Sequence, residues 1–224
     1  MQSNDALTQM HSTYATLARD SVRTMVISGQ LAQGDRLNEV ALSERFQISR
    51  GPLREGIQNL VSEGLLVLRA HRGAYVRSFT AQELADLYSV RTALEVWALK
   101  VGAEANAAKL ISALDADLEQ SQKNVKRNLP AYGHDLDFHR TIVYSNGNAE
   151  LQDAYHSVMQ RIELARSRSA NQPTRAVESL DEHRAVISAL VDGRIAEAQE
   201  ALEFHLAAAL HSANLAVDHP ETRP

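Results

Sequence analysis

Cysteine is absent from the 224 residues, so disulfides and thiolate metal sites are both excluded. The same absence fits a protein of the reducing cytoplasm. No leader is expected from MQSNDALTQMHSTYATLARD, which has neither a basic n-region nor an apolar h-region. No apolar run approaches the ~20 residues that cross a bilayer, so no membrane partner is expected and the chain reads as soluble. Lysine does not occur before residue 79. Strand signals vanish after Phe79, and neither repeats nor low-complexity segments occur anywhere.

What is present is unevenly distributed. A net charge of −5 argues against a generic nucleic-acid binder until it is divided by segment. Through Ser78, nine arginines face seven acids, whereas the remainder carries 14 basic and 21 acidic residues. Arg45 to Arg77 alone has six arginines against Glu55 and Glu63. A basic head on an acidic body suits a protein whose head alone meets phosphate.

The head spans 1–78. Leu17, Val22, Val26 and Ile27 give helical spacing from about Ser12 to Gln30, with the first residues frayed. Asn38 is expected to cap a short helix through Phe46, with Val40, Leu42 and Phe46 inward. Ser49 is expected to cap a third helix ending near Glu63, with Leu53, Ile57, Leu60 and Val61 on one face. Leu65–Leu68 and Ala74–Val76, separated by a charged turn containing Gly73, read as a small hairpin. Three helices and a basic hairpin in that order describe a winged helix-turn-helix.

The capping box Thr80-Ala81-Gln82-Glu83 opens a second domain, 79–216, that is helical throughout. Helices are expected near 83–105, 107–126, 132–145, 149–170, 175–191 and 195–213. Breaks fall at Pro130, Asn146-Gly147-Asn148, Pro173 and Asp192-Gly193. The fold class is mainly α, a winged helix-turn-helix followed by an all-α antiparallel bundle. Residues 217–224 read as a loose tail.

The stretch LNEVALSERFQISRGPLREGIQNLVSEGLL, with Ile27 to Leu37 before it and Arg72 to Val76 after it, closely resembles the DNA-reading domain of the GntR family. A recognition helix presents its first turn to the base edges of the major groove. Here that turn holds Ser49, Arg50, Gly51 and Pro52, with Arg54 one turn from Arg50. Arginine can grip a guanine edge with two hydrogen bonds, while serine and a helix N-terminus suit phosphate. The competing reading of Arg50 and Arg54 is a solvated arginine paired with Glu55 or Glu44. His71 and Arg72 of the wing could reach the adjacent minor groove or backbone. Three residues depart from the family pattern. Gln47 replaces a turn glycine, so a left-handed backbone there would cost ~1 kcal/mol. Gly51 replaces threonine, and Gly56 replaces alanine inside a helix at roughly another 1 kcal/mol.

In the acidic half, Asp135 and His139 stand at i and i+4 on one helix face, and His183 and His205 lie on two further helices. Three imidazoles and a carboxylate from three helices could close around a divalent cation. Asp135 to Ile142, Asp181 to Gly193 and His205-Leu206 resemble the signature of the FCD domain of FadR-like GntR regulators. That resemblance implies a zinc, nickel or manganese ion on Asp135, His139, His183 and His205. His134, His156 and His211 match no such position. The resemblance further implies a small carboxylate effector, with Arg91 as its clamp and Asn148 in the same pocket; the competing readings are Arg91 paired with Glu95 and Asn148 capping the next helix.

The expected function is therefore a ligand-responsive repressor that binds operator DNA as a homodimer and is not an enzyme. The alternatives are a regulator sensing the metal itself and, from another class, a helical metalloenzyme. Against the enzyme, no general base, nucleophile or phosphate loop accompanies the histidines.

Overall fold

The computed structural model describes residues 2–127, 132–166 and 173–218, with side chains over 13–127, 136–166 and 175–215. Two compact units emerge, the first built on Met1–Phe79 with a short stretch beginning at Glu163, the second starting at Thr80.

In the first unit, α1 (Gln2–Ile27) lies against α3 (Arg50–Ser62), with α2 (Glu39–Phe46) between them in sequence. Helix α1 starts ten residues before the expected boundary near Ser12, because nothing from Gln2 to Ile27 is glycine or proline. Its small residues Ala15 and Ala18 are buried, with Val22 and Val26, whereas Leu17 is exposed. Opposite Ala18 sits Gly56. A Cβ there would stand 2.8 Å from both the Ala15 carbonyl oxygen and the Arg19 nitrogen. The helix-weakening glycine is thus what lets the two backbones approach.

Strands β1 (Leu66–Arg69) and β2 (Gly73–Val76) pair antiparallel, Leu66 opposite Val76. The segment before α2 backs the hairpin: Gly34 N–H donates to the Val76 carbonyl and Leu37 N–H to the Ala74 carbonyl, while the Asp35 carbonyl accepts from Val76 N–H. Asn38 then caps α2 by accepting from the Val40 and Ala41 amides, and Val40, expected inward, is exposed.

The second unit opens on α4 (Ala81–Lys126), and its capping box forms as expected: Glu83 accepts from Thr80 N–H and Thr80 Oγ1 from Glu83 N–H. The run is broken at Asn106, whose backbone leaves the helix (φ −162°, ψ 81°) and whose Oδ1 accepts from Lys109 N–H. Helices α5 (Tyr132–Tyr144), α6 (Ala149–Arg166), α7 (Pro173–Val191) and α8 (Ile195–Asp218) follow. Pro173 begins α7, where a missing amide hydrogen removes no helical bond. Helix α8 runs past the expected start of the tail at Val217, and the expected helix end beyond 166 lies outside the described residues.

Helix α4 packs on α5, α7 and α8, and α7 on α8. Leu84, Tyr88, Leu99, Phe138, Ile142, Val186 and Leu202 are among the side chains buried there. Thr141 Oγ1 donates to Asp117 across α5 and α4, and Gln199 Nε2 to the Val96 carbonyl across α8 and α4. These bonds tie α5 and α8, which carry His139 and His205, to α4.

Candidate functional site

The turn between α2 and α3 sets how α3 is presented. Gln47 takes the left-handed conformation (φ 55°, ψ 40°) expected of the position where a glycine would be easiest. Ser43 Oγ donates to the Ile48 carbonyl and steadies the corner. Ser49 occupies the N-cap of α3, but its side chain makes no capping bond and is exposed, leaving its hydroxyl available. Arg50, Gly51 and Arg54 are exposed as well.

Pro52 is a correction. It belongs to the buried stripe Pro52, Leu53, Gly56, Ile57 and Leu60, so it faces the core and cannot meet a base. Arg54, expected to meet DNA, has an acidic partner other than the Glu44 or Glu55 of the competing reading: its Nε–H donates to Glu39 at 2.8 Å, across the helix pair. At the wing tip His71 is exposed with φ 58° and Arg72 is exposed beside it. The Arg69 guanidinium lies 4.2 Å over the Tyr75 ring, stiffening the strands behind that tip.

The second site lies in the helical unit. His139 of α5, His183 of α7 and His205 of α8 are buried, and one nitrogen of each lies within 4.8 Å of the others. Phe138 stacks on His183 at 3.9 Å between centroids, fixing that ring. Glu95 Oε2 sits 2.7 Å from His139 Nδ1, and Glu182 Oε2 lies 2.6 Å from His205 Nδ1. The two Nε2 atoms then face each other at 3.0 Å.

Both carboxylates are ionised. Burial pushes Glu95 up, but Arg91 and then His139 outweigh it and hold its pKa at about 2. Burial likewise opposes ionisation of Glu182, and hydrogen bonds from His205 and Arg175 lower it below the usual range. Each carboxylate faces the Nδ1 atom of its histidine and the two Nε2 atoms face one another, so the pair can share a proton or, with both rings neutral, turn both Nε2 lone pairs to one cation. Nitrogens each ~2.1 Å from one ion at right angles would stand ~3.0 Å apart, so the residues present fit a divalent metal. Asp135 lies one turn before His139 on α5, and its side chain is outside the described residues.

Arg91 is fully buried, and its Nε–H donates to Glu95 at 2.6 Å. Its Nη1 and Nη2 find no acceptor among the described residues, nor does the hydroxyl of neighbouring Tyr88, whose ring lies 5.5 Å from the guanidinium carbon. A buried cation with its fork unused is matched by a planar carboxylate. Asn148 is a second correction: it is exposed and its Oδ1 caps α6 by accepting from Leu151 N–H, so it does not line this buried site. His156 is exposed and bonded to Gln160, His211 is exposed, and the side chain of His134 is not described.

Sequence reasoning missed Glu182 and Arg175 as partners and saw Glu95 only as a counter-ion for Arg91. The available signals were positional: Glu95 four residues after Arg91, Glu182 beside His183, and Arg175 two turns before Glu182. Arg175 grips both oxygens of Glu182, at 2.8 and 2.6 Å.

Comparison with known proteins follows the same two units. Residues 86–208 match the FCD domain family, and residues 15–76 match the family described as bacterial regulatory proteins, gntR family. The Nta operon transcriptional regulator of Aminobacter aminovorans is 34% identical over 143 residues, 63% of this chain and 68% of that protein. The gluconate operon transcriptional repressor of Bacillus licheniformis is 32% identical over 126 residues, 55% of this chain and 51% of that protein. In fold, a chain from Rhodococcus sp. RHA1 described as a transcriptional regulator GntR superposes with a TM-score of 0.77 at 22% identity, over 90% of this chain and 98% of that one. Among the described residues no helix is long and apolar enough to cross a membrane.

Proposed function

The chain belongs to the GntR family of bacterial transcription regulators, in the branch carrying an FCD domain, and from that premise we propose that it is a repressor whose helical unit senses a small organic acid at a divalent metal. The head binds operator DNA as part of a two-fold dimer, with Ser49, Arg50, Gly51 and Arg54 on the reading helix and His71 and Arg72 on the wing. His139, His183 and His205, with Asp135 one turn before His139, would hold the metal, which when bound would supply positive charge that a carboxylate can meet. Arg91 takes the acid's carboxylate through its free fork, while Glu95 keeps the guanidinium fixed.

One observation carries this reading: two carboxylate-held histidines meet nitrogen to nitrogen at 3.0 Å while the Nη1 and Nη2 groups of Arg91, itself fully buried, find no acceptor among the described residues. The unused fork favours an acid effector over the metal alone as signal. The test is metal content after purification without added ions, then calorimetric titration with a panel of small carboxylates. His183→Ala should lose metal and acid response together. Arg91→Lys keeps the charge beside Glu95 but loses the fork, so it should retain metal and bind the acid at least ~10-fold more weakly. A His183→Ala variant that still answers the acid would remove the metal from the mechanism.

A further inference from the structure

The reading face of the first unit contains a carboxylate that a phosphate-binding surface has no evident use for. Glu39 is the first residue of α2, and its position is fixed twice over. Leu37 N–H is bonded to the Ala74 carbonyl of the wing, and Asn38 caps the helix Glu39 begins. Its Oε2 takes the Nε–H of Arg54, whose side chain is 67% exposed against 28% for Glu39. An exposed pair of this kind adds little stability. Its effect is directional, because a guanidinium has two faces suited to a guanine edge, one using Nε and one Nη, the other using both Nη groups.

We propose that Glu39 is a specificity-determining residue of the DNA-reading face, a buttress that takes Nε of Arg54 and leaves the Nη1/Nη2 end as the only fork offered to a guanine. Holding the side chain in one orientation removes rotamer freedom before DNA arrives, so less is lost on binding the right base pair. The same negative charge weakens contact with phosphate everywhere, which penalises DNA that offers no guanine to Arg54. Glu39 thus trades total affinity for discrimination. This inference rests on α3 entering the major groove.

The full-length protein is used to select binding sites from a randomised duplex pool, and discrimination at each base pair is then measured for the wild type and variants. Arg54→Lys should erase preference at one G·C pair per half-site. Glu39→Gln and Glu39→Ala should each cut discrimination at that same pair by about tenfold, within the ~5- to 150-fold that a two-bond base contact supplies. Both should also bind a mixed-sequence duplex two- to fivefold more tightly, a rough estimate for one acidic charge removed. In an Arg54→Lys background, Glu39→Gln should change nothing further at that pair. The proposal is overturned if the Glu39 variants keep the full preference there, or if they lose it at a different pair, which would mean Glu39 reads a cytosine amino group itself. If the wild type selects a site but Arg54→Lys alters no pair, the groove placement of Arg54 has failed and the proposal falls with it.

Discussion

Replacing Gly56 with alanine should destabilise the head, although alanine is the better helix former by about 1 kcal/mol. The added Cβ would lie 2.8 Å from the Ala15 oxygen and the Arg19 nitrogen and 3.0 Å from Ala18 Cβ. Two of those three atoms are backbone of α1 and cannot rotate aside, so the helices must separate. Clashes of 2.8 Å against backbone put the overpacking in the upper part of the usual range, about 2–3 kcal/mol, and subtracting the propensity gain leaves a net loss of about 1–2 kcal/mol. The only tryptophan, Trp97, sits in the other unit, so its fluorescence will not report the change. Hydrogen exchange of the full chain will: amides of α3 that exchange through opening of the head should speed up about 5- to 30-fold, while those of α7 and α8 stay unchanged. Unchanged or slower exchange in α3 would show that α1 and α3 do not approach as described, and that the glycine is merely a weak point.

Gln47→Gly should stabilise the head by about 0.5–1 kcal/mol in thermal unfolding, since it relieves a left-handed side-chain residue and the flexibility of glycine returns only part of that gain. Gly102→Ala should cost less than Gly56→Ala, because the atom its Cβ meets, at 2.5 Å, is the rotatable Ser145 Oγ rather than backbone, and chemical denaturation compares the two. Arg72→Ala should flatten the logarithmic salt dependence of DNA binding by about one unit, whatever the DNA sequence, and an unchanged slope would place the wing tip off the duplex. Chelation of divalent ions should lower the melting temperature of the helical unit by about 5–10 °C and leave the head's transition in place, as followed by calorimetry.

Local chemistry made much of this molecule readable. The break at Asn106, the Thr80 capping box and the left-handed Gln47 each depend on residues within one helical turn, and each lies where the sequence places it. What escaped depends on partners far along the chain. Gly56 looks like a defect until α1 is laid against it, and Arg54 finds Glu39 fifteen residues away rather than its neighbour Glu55. Pro52 sits in the first turn of α3, yet the buried stripe of that helix claims it. The histidines could be singled out from spacing and resemblance, but the carboxylates that aim them are set by helix packing: Glu95 and His139 are 44 residues apart.

The backing of the wing carries a consequence for speed as well as strength. A lone two-stranded hairpin is barely stable in water. This one is stitched by three backbone hydrogen bonds to the segment 34–37, which runs straight into α2. The wing therefore travels with the helix-turn-helix as a single rigid tool, its tip held at a constant offset from the reading helix. Both arrive at the duplex in one collision, with no slow search by a dangling arm. Its grip should then be limited by how fast the protein leaves a wrong site rather than by how long it takes to close on a right one.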